Sequence, residues 1–221
     1  MDYRTVDEYY RREHLEFFAR YRYPFYSLTF DLDAAGLKRA LDARELPLYL
    51  NLSYLLLRAM QGIEDFRYRL LDGRVVLYER LHPALVVPAP GGRFSFCALR
   101  YDSDLAAFNR EARAAMTAAT QRVDLSGGAA PNYVYFTALP RVPFTHFTHV
   151  APDDRTAGQS QVAFGKLRPE GERLWVPIGL QVNHLFIDGV ALGRLVEETQ
   201  ALWDGAEPLL AAAGASRPPT P

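Results

Sequence analysis

Cysteine and long apolar runs are almost absent from this sequence. The single cysteine, Cys97, rules out a disulfide within the chain and agrees with a reducing compartment. No stretch approaches the roughly 18 consecutive apolar residues that a membrane-spanning helix needs, and the first residues lack the apolar core of a secretion signal. We therefore expect a soluble cytoplasmic protein without a membrane partner.

An excess of charge of either sign is also lacking, because 25 Lys and Arg residues stand against 26 Asp and Glu residues. Proteins that bind nucleic acids or anionic membranes usually carry a basic excess, so neither partner is expected. A small molecule or another copy of the chain is the expected partner. The chain has 221 residues, 49% of them hydrophobic, which is enough for one domain. We expect that domain to cover residues 1–210, with a disordered tail at 211–221.

The most informative stretch predicts a strand, a turn and a helix in succession. Residues Leu174 to Val182 are bulky and apolar with few polar interruptions, as in a buried strand. His184 follows directly, and Asp188-Gly189 is typical of a turn. Apolar residues then recur at helical spacing from Val190 to Leu202. The pattern therefore predicts that a strand carries an imidazole to a turn, where backbone on several sides fixes its direction.

The remaining segments predict a mixture of helices and strands. A loop at 123–131 precedes the strand at 133–138, and the strand at 161–167 is expected to form a hairpin with the histidine strand through a turn at 169–171. Predicted helices cover Tyr9 to Tyr23, a segment from Asp33, Leu46 to Met60 and Asp104 to Thr120. Predicted strands cover Phe25 to Leu32, a hairpin around Asp72-Gly73, Val86-Val87, Phe94 to Leu99, Tyr133 to Ala138 and Gln161 to Leu167.

His-x-x-x-Asp-Gly between an apolar strand and an amphipathic helix resembles the active-site motif of the chloramphenicol acetyltransferase family. Dihydrolipoyl acyltransferases share the motif, and condensation-type acyltransferases share it more loosely. The chain length and the segment from Arg11 to Phe18, which resembles an N-terminal Arg-x-Glu-His-Phe element, favour the first family. The resemblance implies an α+β fold, a single-domain two-layer sandwich in which helices cover a mixed β-sheet.

The same resemblance implies an acetyl-CoA-dependent O-acetyltransferase. The expected acceptor is a small hydroxyl compound, first of all chloramphenicol, whose acetylation confers antibiotic resistance. Acetyl-CoA is a co-substrate, and no metal is implied. Family members are homotrimers with active sites between subunits. The resemblance therefore also implies that each active site of this protein is formed by residues of two copies of the chain.

Two catalytic residues follow from this resemblance. His184 is the general base that takes the proton of the acceptor hydroxyl and returns a proton to the leaving thiolate of coenzyme A. Thr137 stands in Thr137-Ala-Leu-Pro, where the family has Ser-Ala-x-Pro, and its hydroxyl is expected to hydrogen-bond the oxyanion of the tetrahedral intermediate. Strand propensity alone would also account for a threonine at this position.

An ion pair beside the site is implied between Asp188 and Arg11, with Arg12 as the alternative arginine. A solvated cluster of charges in the first helix is the competing interpretation. The resemblance also implies an apolar acceptor pocket, to which the subunit next to the one carrying His184 contributes Phe18, Phe25 and Phe94. The implied pocket residues are aromatic: Phe18, Phe25, Tyr26, Phe94 and Phe144.

Three positions depart from the family pattern. Asn183 replaces the first of two successive histidines, Phe18 replaces a tyrosine that often borders the pocket, and Ala163 replaces a frequent threonine. His146 and His149 have a His-x-x-His spacing, but an irregular segment without a third ligand does not favour a metal site. Acetylation of another small hydroxyl compound and a catalytically silent trimer that binds a ligand remain as alternative functions.

Overall fold

The structure, a computed structural model, describes residues 2–150 and 158–214. The strands are β1 Tyr3–Thr5, β2 Phe25–Asp33, β3 Tyr68–Leu71, β4 Arg74–Tyr78, β5 His82–Ala89, β6 Arg93–Ala98, β7 Tyr133–Ala138, β8 Gln161–Phe164, β9 Arg168–Glu170 and β10 Arg173–Asn183. The helices are α1 Arg12–Phe18, α2 Ala35–Asp42, α3 Leu48–Gly62, α4 Leu105–Ala119, α5 Gly189–Asp204 and α6 Glu207–Gly214.

The main sheet is mixed and has the strand order β2-β10-β8-β7-β5-β6, with the short strand β9 paired to β10. Strand β10 runs antiparallel to β2 along the whole of β2 and antiparallel to β8 on its other side. Strand β7 is parallel to both β5 and β8. A separate three-stranded sheet has the order β1-β4-β3. The longest strand, β10, is therefore held on both edges as far as Gln181 and by β2 up to Asn183, where the histidine segment begins.

Alternation along the strands gives the main sheet a core face. On this face Val176, Ile178, Leu180 and Val182 of β10 are completely buried. Helices α2, α3, α4 and α5 pack against the sheet, and their apolar residues join the same core. Burial of this surface is the main stabilising contribution to such a two-layer arrangement.

The opposite face of the sheet is partly covered by residues 139–150, which have no regular secondary structure. Their close approach depends on two glycines, Gly179 within β10 and Gly165 directly after β8. A Cβ at Gly179 would lie 2.8 Å from Cβ of Phe147, and a Cβ at Gly165 would lie 2.8 Å from the ring of Phe144. Because real Cβ contacts do not become this short, any side chain at either glycine would displace the segment.

The predicted α+β class, with a mixed sheet and packed helices, is confirmed. The first helix is shorter than predicted: it ends at Phe18, while Tyr23 is not helical, because the residue before Pro24 is driven towards extended backbone. Helix α6 continues to Gly214, so residues 211–214 of the predicted tail are helical, which agrees with their alanine-rich sequence. Residues 215–221 lie outside the described residues. Among the described helices, none is long and apolar enough to cross a membrane.

Candidate active site

The segment that follows β10 is a tight turn organised by Asn183. The side chain of Asn183 is 1% exposed, and its Oδ1 accepts a hydrogen bond of 2.9 Å from the backbone N–H of Leu185. Its backbone carbonyl accepts from the N–H groups of Phe186 and Ile187. An asparagine that bonds backbone two residues ahead is a common way to start a turn. The residue that departs from the family pattern therefore shapes the turn that carries His184.

His184 lies at the start of this turn between two aromatic side chains. The ring of Phe18 stacks on the imidazole with centroids 4.0 Å apart, and the ring of Tyr26 lies 4.7 Å away. The backbone N–H of His184 donates a 2.8 Å hydrogen bond to the carbonyl of Pro24. Its Nδ1 is buried and has no hydrogen-bond partner within the described part of the chain. The imidazole is thus oriented by ring packing, while the bond to Pro24 fixes the backbone that carries it.

The end of the turn is fixed by Asp188. Its Oδ1 accepts hydrogen bonds of 3.0 Å from the N–H groups of Val190 and Ala191, which caps helix α5. Its Oδ2 lies 3.2 Å from Nη2 of Arg11. Nη1 of Arg11 donates to the carbonyl of Phe186 at 3.0 Å. The structure therefore brings Asp188 together with Arg11.

The protonation states around the turn follow from burial and from these bonds. Loss of solvent would raise the pKa of Asp188, but the hydrogen bonds from Ala191 and Val190 and the charge of Arg11 lower it below its ordinary value. Burial, with a smaller effect of Asp188, raises the pKa of Tyr26 to about 12. The Tyr26 hydroxyl is therefore a neutral donor, and it bonds the carbonyl of Ile187 at 3.2 Å.

Thr137 lies on β7, on the face of the sheet away from the helix layer, and borders a cavity of about 520 Å³. Cavities of this size are typical of small-molecule sites. The walls are mainly aromatic and apolar, with histidine and glutamine as the other polar side chains besides threonine. The described lining residues are Val86, Phe94, Phe96, Tyr135, Phe136, Thr137, His149, Val150, Gln159, Gln161 and Val162.

Thr137 and His184 of one chain are far apart. The strand register aligns Thr137 with Ala163 and Ala163 with Gly179. His184 follows Gly179 by five positions, which corresponds to about 17 Å along the strand at roughly 3.3 Å per residue, and two strand spacings add about 10 Å across the sheet. The two side chains of a single chain therefore cannot contact the same reacting carbonyl.

Some of the predicted pocket residues lie near the cavity beside Thr137, and others lie at the turn of His184. Phe94 borders the cavity beside Thr137, and Phe144 packs near Gly165 without lining that cavity. Phe18 and Tyr26 contact His184 of their own chain. This corrects the expectation that Phe18 belongs to a subunit different from that of His184, because the end of helix α1 lies directly against the turn.

Phe25 is likewise placed beside the histidine turn of its own chain. The antiparallel register of β2 and β10 pairs Phe25 with Asn183, which is adjacent to His184. The expectation that the neighbouring subunit supplies Phe25 to His184 stays a prediction. Only Phe94, of the three residues assigned to the neighbour, lies with Thr137.

Sequence reasoning missed a second acidic partner of Arg11. Oδ1 of Asp65 lies 3.3 Å from Nη1 of Arg11 and also accepts a 2.6 Å hydrogen bond from the hydroxyl of Tyr10. No local pattern in the sequence connects Asp65 with residue 11. Among the described residues, no group of three His, Cys, Asp or Glu side chains is arranged to hold a metal ion.

The sequence matches known proteins over almost its full length. A sequence model described as chloramphenicol acetyltransferase matches residues 1–200. Chloramphenicol acetyltransferase 2 of Escherichia coli is 31% identical over 203 residues, covering 88% of this chain and 92% of that protein. Chloramphenicol acetyltransferase 3 of Escherichia coli is 28% identical over 201 residues, covering 89% and 94%.

Solved structures give the same result. A chloramphenicol acetyltransferase superimposes with a TM-score of 0.83 at 26% identity, covering 91% of this chain and 99% of the other. The dihydrolipoamide acetyltransferase of Azotobacter vinelandii reaches 0.63 at 17% identity, covering 93% and 94%, which shows a shared fold alone. Because the family match includes the turn of His184, the cap of Asp188 and the strand of Thr137, the chain belongs to the chloramphenicol acetyltransferase family.

Proposed function

We propose that this protein transfers the acetyl group of acetyl-CoA to a hydroxyl of chloramphenicol. The observation that carries the proposal is the turn after β10, where His184 is held between Phe18 and Tyr26 and braced by the Arg11–Asp188 pair. A base that is fixed in this way meets the main need of the reaction, because an alcohol is a poor nucleophile until its proton is removed.

The proposed reaction uses His184 twice. The imidazole takes the proton of the acceptor hydroxyl as the oxygen attacks the thioester carbonyl. The tetrahedral intermediate then places negative charge on the former carbonyl oxygen, to which the hydroxyl of Thr137 donates a hydrogen bond. Collapse of the intermediate breaks the carbon–sulfur bond, and the imidazolium returns the proton to the sulfur of coenzyme A. The products are the acetyl ester and free coenzyme A.

We propose that each complete site is formed by two copies of the chain in a homotrimer. The separation of Thr137 and His184 along the sheet supports this arrangement, because the reaction requires both groups at one carbonyl. Exposed aromatic side chains flank the histidine turn, and an apolar surface of this kind is typical of a subunit contact. The exposed aromatic residues there are Phe17, Tyr21 and Tyr23.

The acceptor in this proposal enters the cavity beside Thr137, where aromatic side chains of Phe94, Phe96 and Tyr135 suit a ring. Chloramphenicol carries an aromatic ring and free hydroxyls, and its acetylation would give antibiotic resistance. We place the activity in the cytoplasm, because acetyl-CoA is an intracellular metabolite.

The test is release of free thiol from acetyl-CoA across a panel of hydroxyl compounds that includes chloramphenicol. We expect thiol release that depends on chloramphenicol and an acetyl ester detectable by mass spectrometry. Release with a different hydroxyl compound and not with chloramphenicol would contradict the proposed acceptor. No release with any compound, from folded protein, would contradict the proposed reaction.

A further inference from the structure

His149 is a polar side chain of the Thr137 cavity that the proposed reaction does not use. Its ring lines the cavity, and its Nε2 is buried without a hydrogen-bond partner among the described residues. A buried polar atom that lacks a partner costs free energy, so such an atom in a ligand cavity is suited to bond a ligand. The unsatisfied nitrogen therefore marks a position on the cavity wall where a ligand group would be favourable.

The position of His149 is set by the sheet beneath it. Its backbone N–H donates to Oε1 of Gln181 at 3.1 Å, and Nε2 of Gln161 donates to the carbonyl of Val150 at 2.9 Å. The ring of Phe147, seated over Gly179, contacts the His149 ring edge-on with centroids 4.7 Å apart. Two glutamines and one aromatic ring thus hold the imidazole in place, as a binding residue requires.

The described walls of the cavity carry no charged side chain, since none of their residues is Asp, Glu, Lys or Arg. Burial lowers the pKa of His149 to about 4, so the imidazole is neutral at physiological pH. The hydroxyl of Tyr135 is already bonded to the carbonyl of Gly128 at 2.8 Å. A charged acceptor in this cavity would lose its hydration without gaining a counter-charge from these side chains.

We propose that His149 is a specificity-determining residue of the acceptor cavity, whose Nε2 hydrogen-bonds a second polar group of an uncharged aromatic acceptor. The acceptor class is therefore an aromatic alcohol with a further hydroxyl or amide, in addition to the hydroxyl that reacts. This inference rests on the proposed acetyl transfer, and it concerns the choice of acceptor rather than the reaction.

The test compares two acceptors of one carbon skeleton, a phenylpropanol with only its terminal hydroxyl and the phenylpropanediol with a second hydroxyl. For wild type and His149→Leu, kcat/KM is measured for both acceptors by thiol release. We expect the ratio of diol to mono-alcohol to fall about tenfold in His149→Leu, because the second hydroxyl loses its partner. His149→Gln, which keeps hydrogen-bonding capacity, should restore part of the ratio.

His146→Leu is the matched control, since His146 lies in the same segment, is exposed, and bonds Thr148 at 3.0 Å instead of lining the cavity. Its ratio should equal that of wild type. An equal loss for both acceptors in His149→Leu, or no loss, would overturn the proposal.

A second measurement needs no variant and no turnover. In wild-type protein labelled with nitrogen-15 histidine, chloramphenicol should shift the Nε2 resonance of His149 and leave that of His146 in place. An unmoved His149 resonance at a saturating concentration would overturn the proposal even if acetyl transfer occurs. Conversely, a shifted resonance without acetyl transfer would contradict the proposed function and leave the binding role of His149 supported.

Discussion

Asp188 and Arg11 are joined by an ion pair of 3.2 Å that links the beginning of the chain to the turn after β10. The same carboxylate caps helix α5 through Val190 and Ala191. One side chain thus fixes the direction of a helix and binds a distant arginine. Because His184 lies only four positions before Asp188, displacement of either partner would move the imidazole.

Removal of the ion pair should reduce both stability and activity. We expect Asp188→Asn and Arg11→Leu each to lower the free energy of unfolding, because each removes one charged partner of a partly buried group. In the double variant the loss should be smaller than the sum of the single losses, with a coupling energy of about 0.5 to 3 kcal/mol. Urea denaturation of the wild type, the two single variants and the double variant measures this coupling energy.

Asp65→Asn alone gives the matched comparison for this cycle. Asp65 contacts the same arginine but lies outside the histidine turn, so its replacement should affect stability more than kcat. Additive losses for Asp188 and Arg11 would show that the contact has no energetic role.

Replacement of His184 by alanine should reduce acetyl transfer by about 10² to 10⁴, the usual contribution of a positioned general base. The fold should remain, because β10 and its neighbours are held by the core and not by the imidazole. Thiol release measures the first effect, and circular dichroism with size-exclusion chromatography checks the second. Activity within tenfold of wild type would refute the role of His184.

Thr137→Ala should lower kcat by about 10² to 10³ while KM changes little, because an oxyanion contact is formed mainly in the transition state. Thr137→Ser keeps the hydroxyl and serves as the conservative control, with activity close to that of wild type. If Thr137→Ala raises only KM, the hydroxyl binds the ground state of a substrate instead.

Sites formed between copies of the chain predict complementation. We expect that co-expression of His184→Ala and Thr137→Ala chains gives mixed oligomers more active than either variant alone, because some sites combine an intact His184 with an intact Thr137. Two separately purified variants that do not exchange subunits provide the control. Mixed oligomers with only the average activity of the parents would contradict a shared site.

The lowered pKa of His149 predicts a pH dependence of stability. Its pKa falls from 6.5 to about 4 on burial. Between these values the unfolded chain binds a proton that the folded chain does not. The part of the free energy of unfolding that depends on His149 is therefore largest above about pH 6.5 and declines as the pH falls towards about 4. His149→Leu should lack this part of the decline, which denaturation at several pH values will measure. If the free energy of unfolding of wild type and His149→Leu declined in parallel with falling pH, this prediction would be contradicted.

Local patterns in the sequence were sufficient for much of the fold and for the histidine turn. The hairpin at Asp72-Gly73 forms as predicted, since both residues adopt the positive φ values that such a turn requires. The strand at 133–138 and the helix after Asp188 also follow local rules of alternation and capping. The strongest local signals thus corresponded to the elements that carry Thr137 and His184.

Contacts between distant segments were not predictable from local patterns. Asp65 reaches Arg11 only because the chain folds back, and nothing in the neighbourhood of either residue indicates this. The assignment of Phe18 to a neighbouring subunit failed for the same reason, since its stacking on His184 depends on where helix α1 packs against the turn. His149 was considered only as a metal ligand, because its burial beside Thr137 is a tertiary property.

Gly165 and Gly179, which lie under Phe144 and Phe147, influence which parts of this protein can change during evolution. Because these glycines have no side chains, the segment can lie close to the sheet. The side-chain oxygen of Gln181 accepts a hydrogen bond from the backbone of that segment, at the N–H of His149. Side chains at positions such as 149 can therefore be exchanged without loss of the support. The chemistry resides elsewhere, in the turn of His184. Natural variation or directed evolution in residues 142–149 should accordingly change which alcohols are accepted while the reaction itself is inherited unaltered.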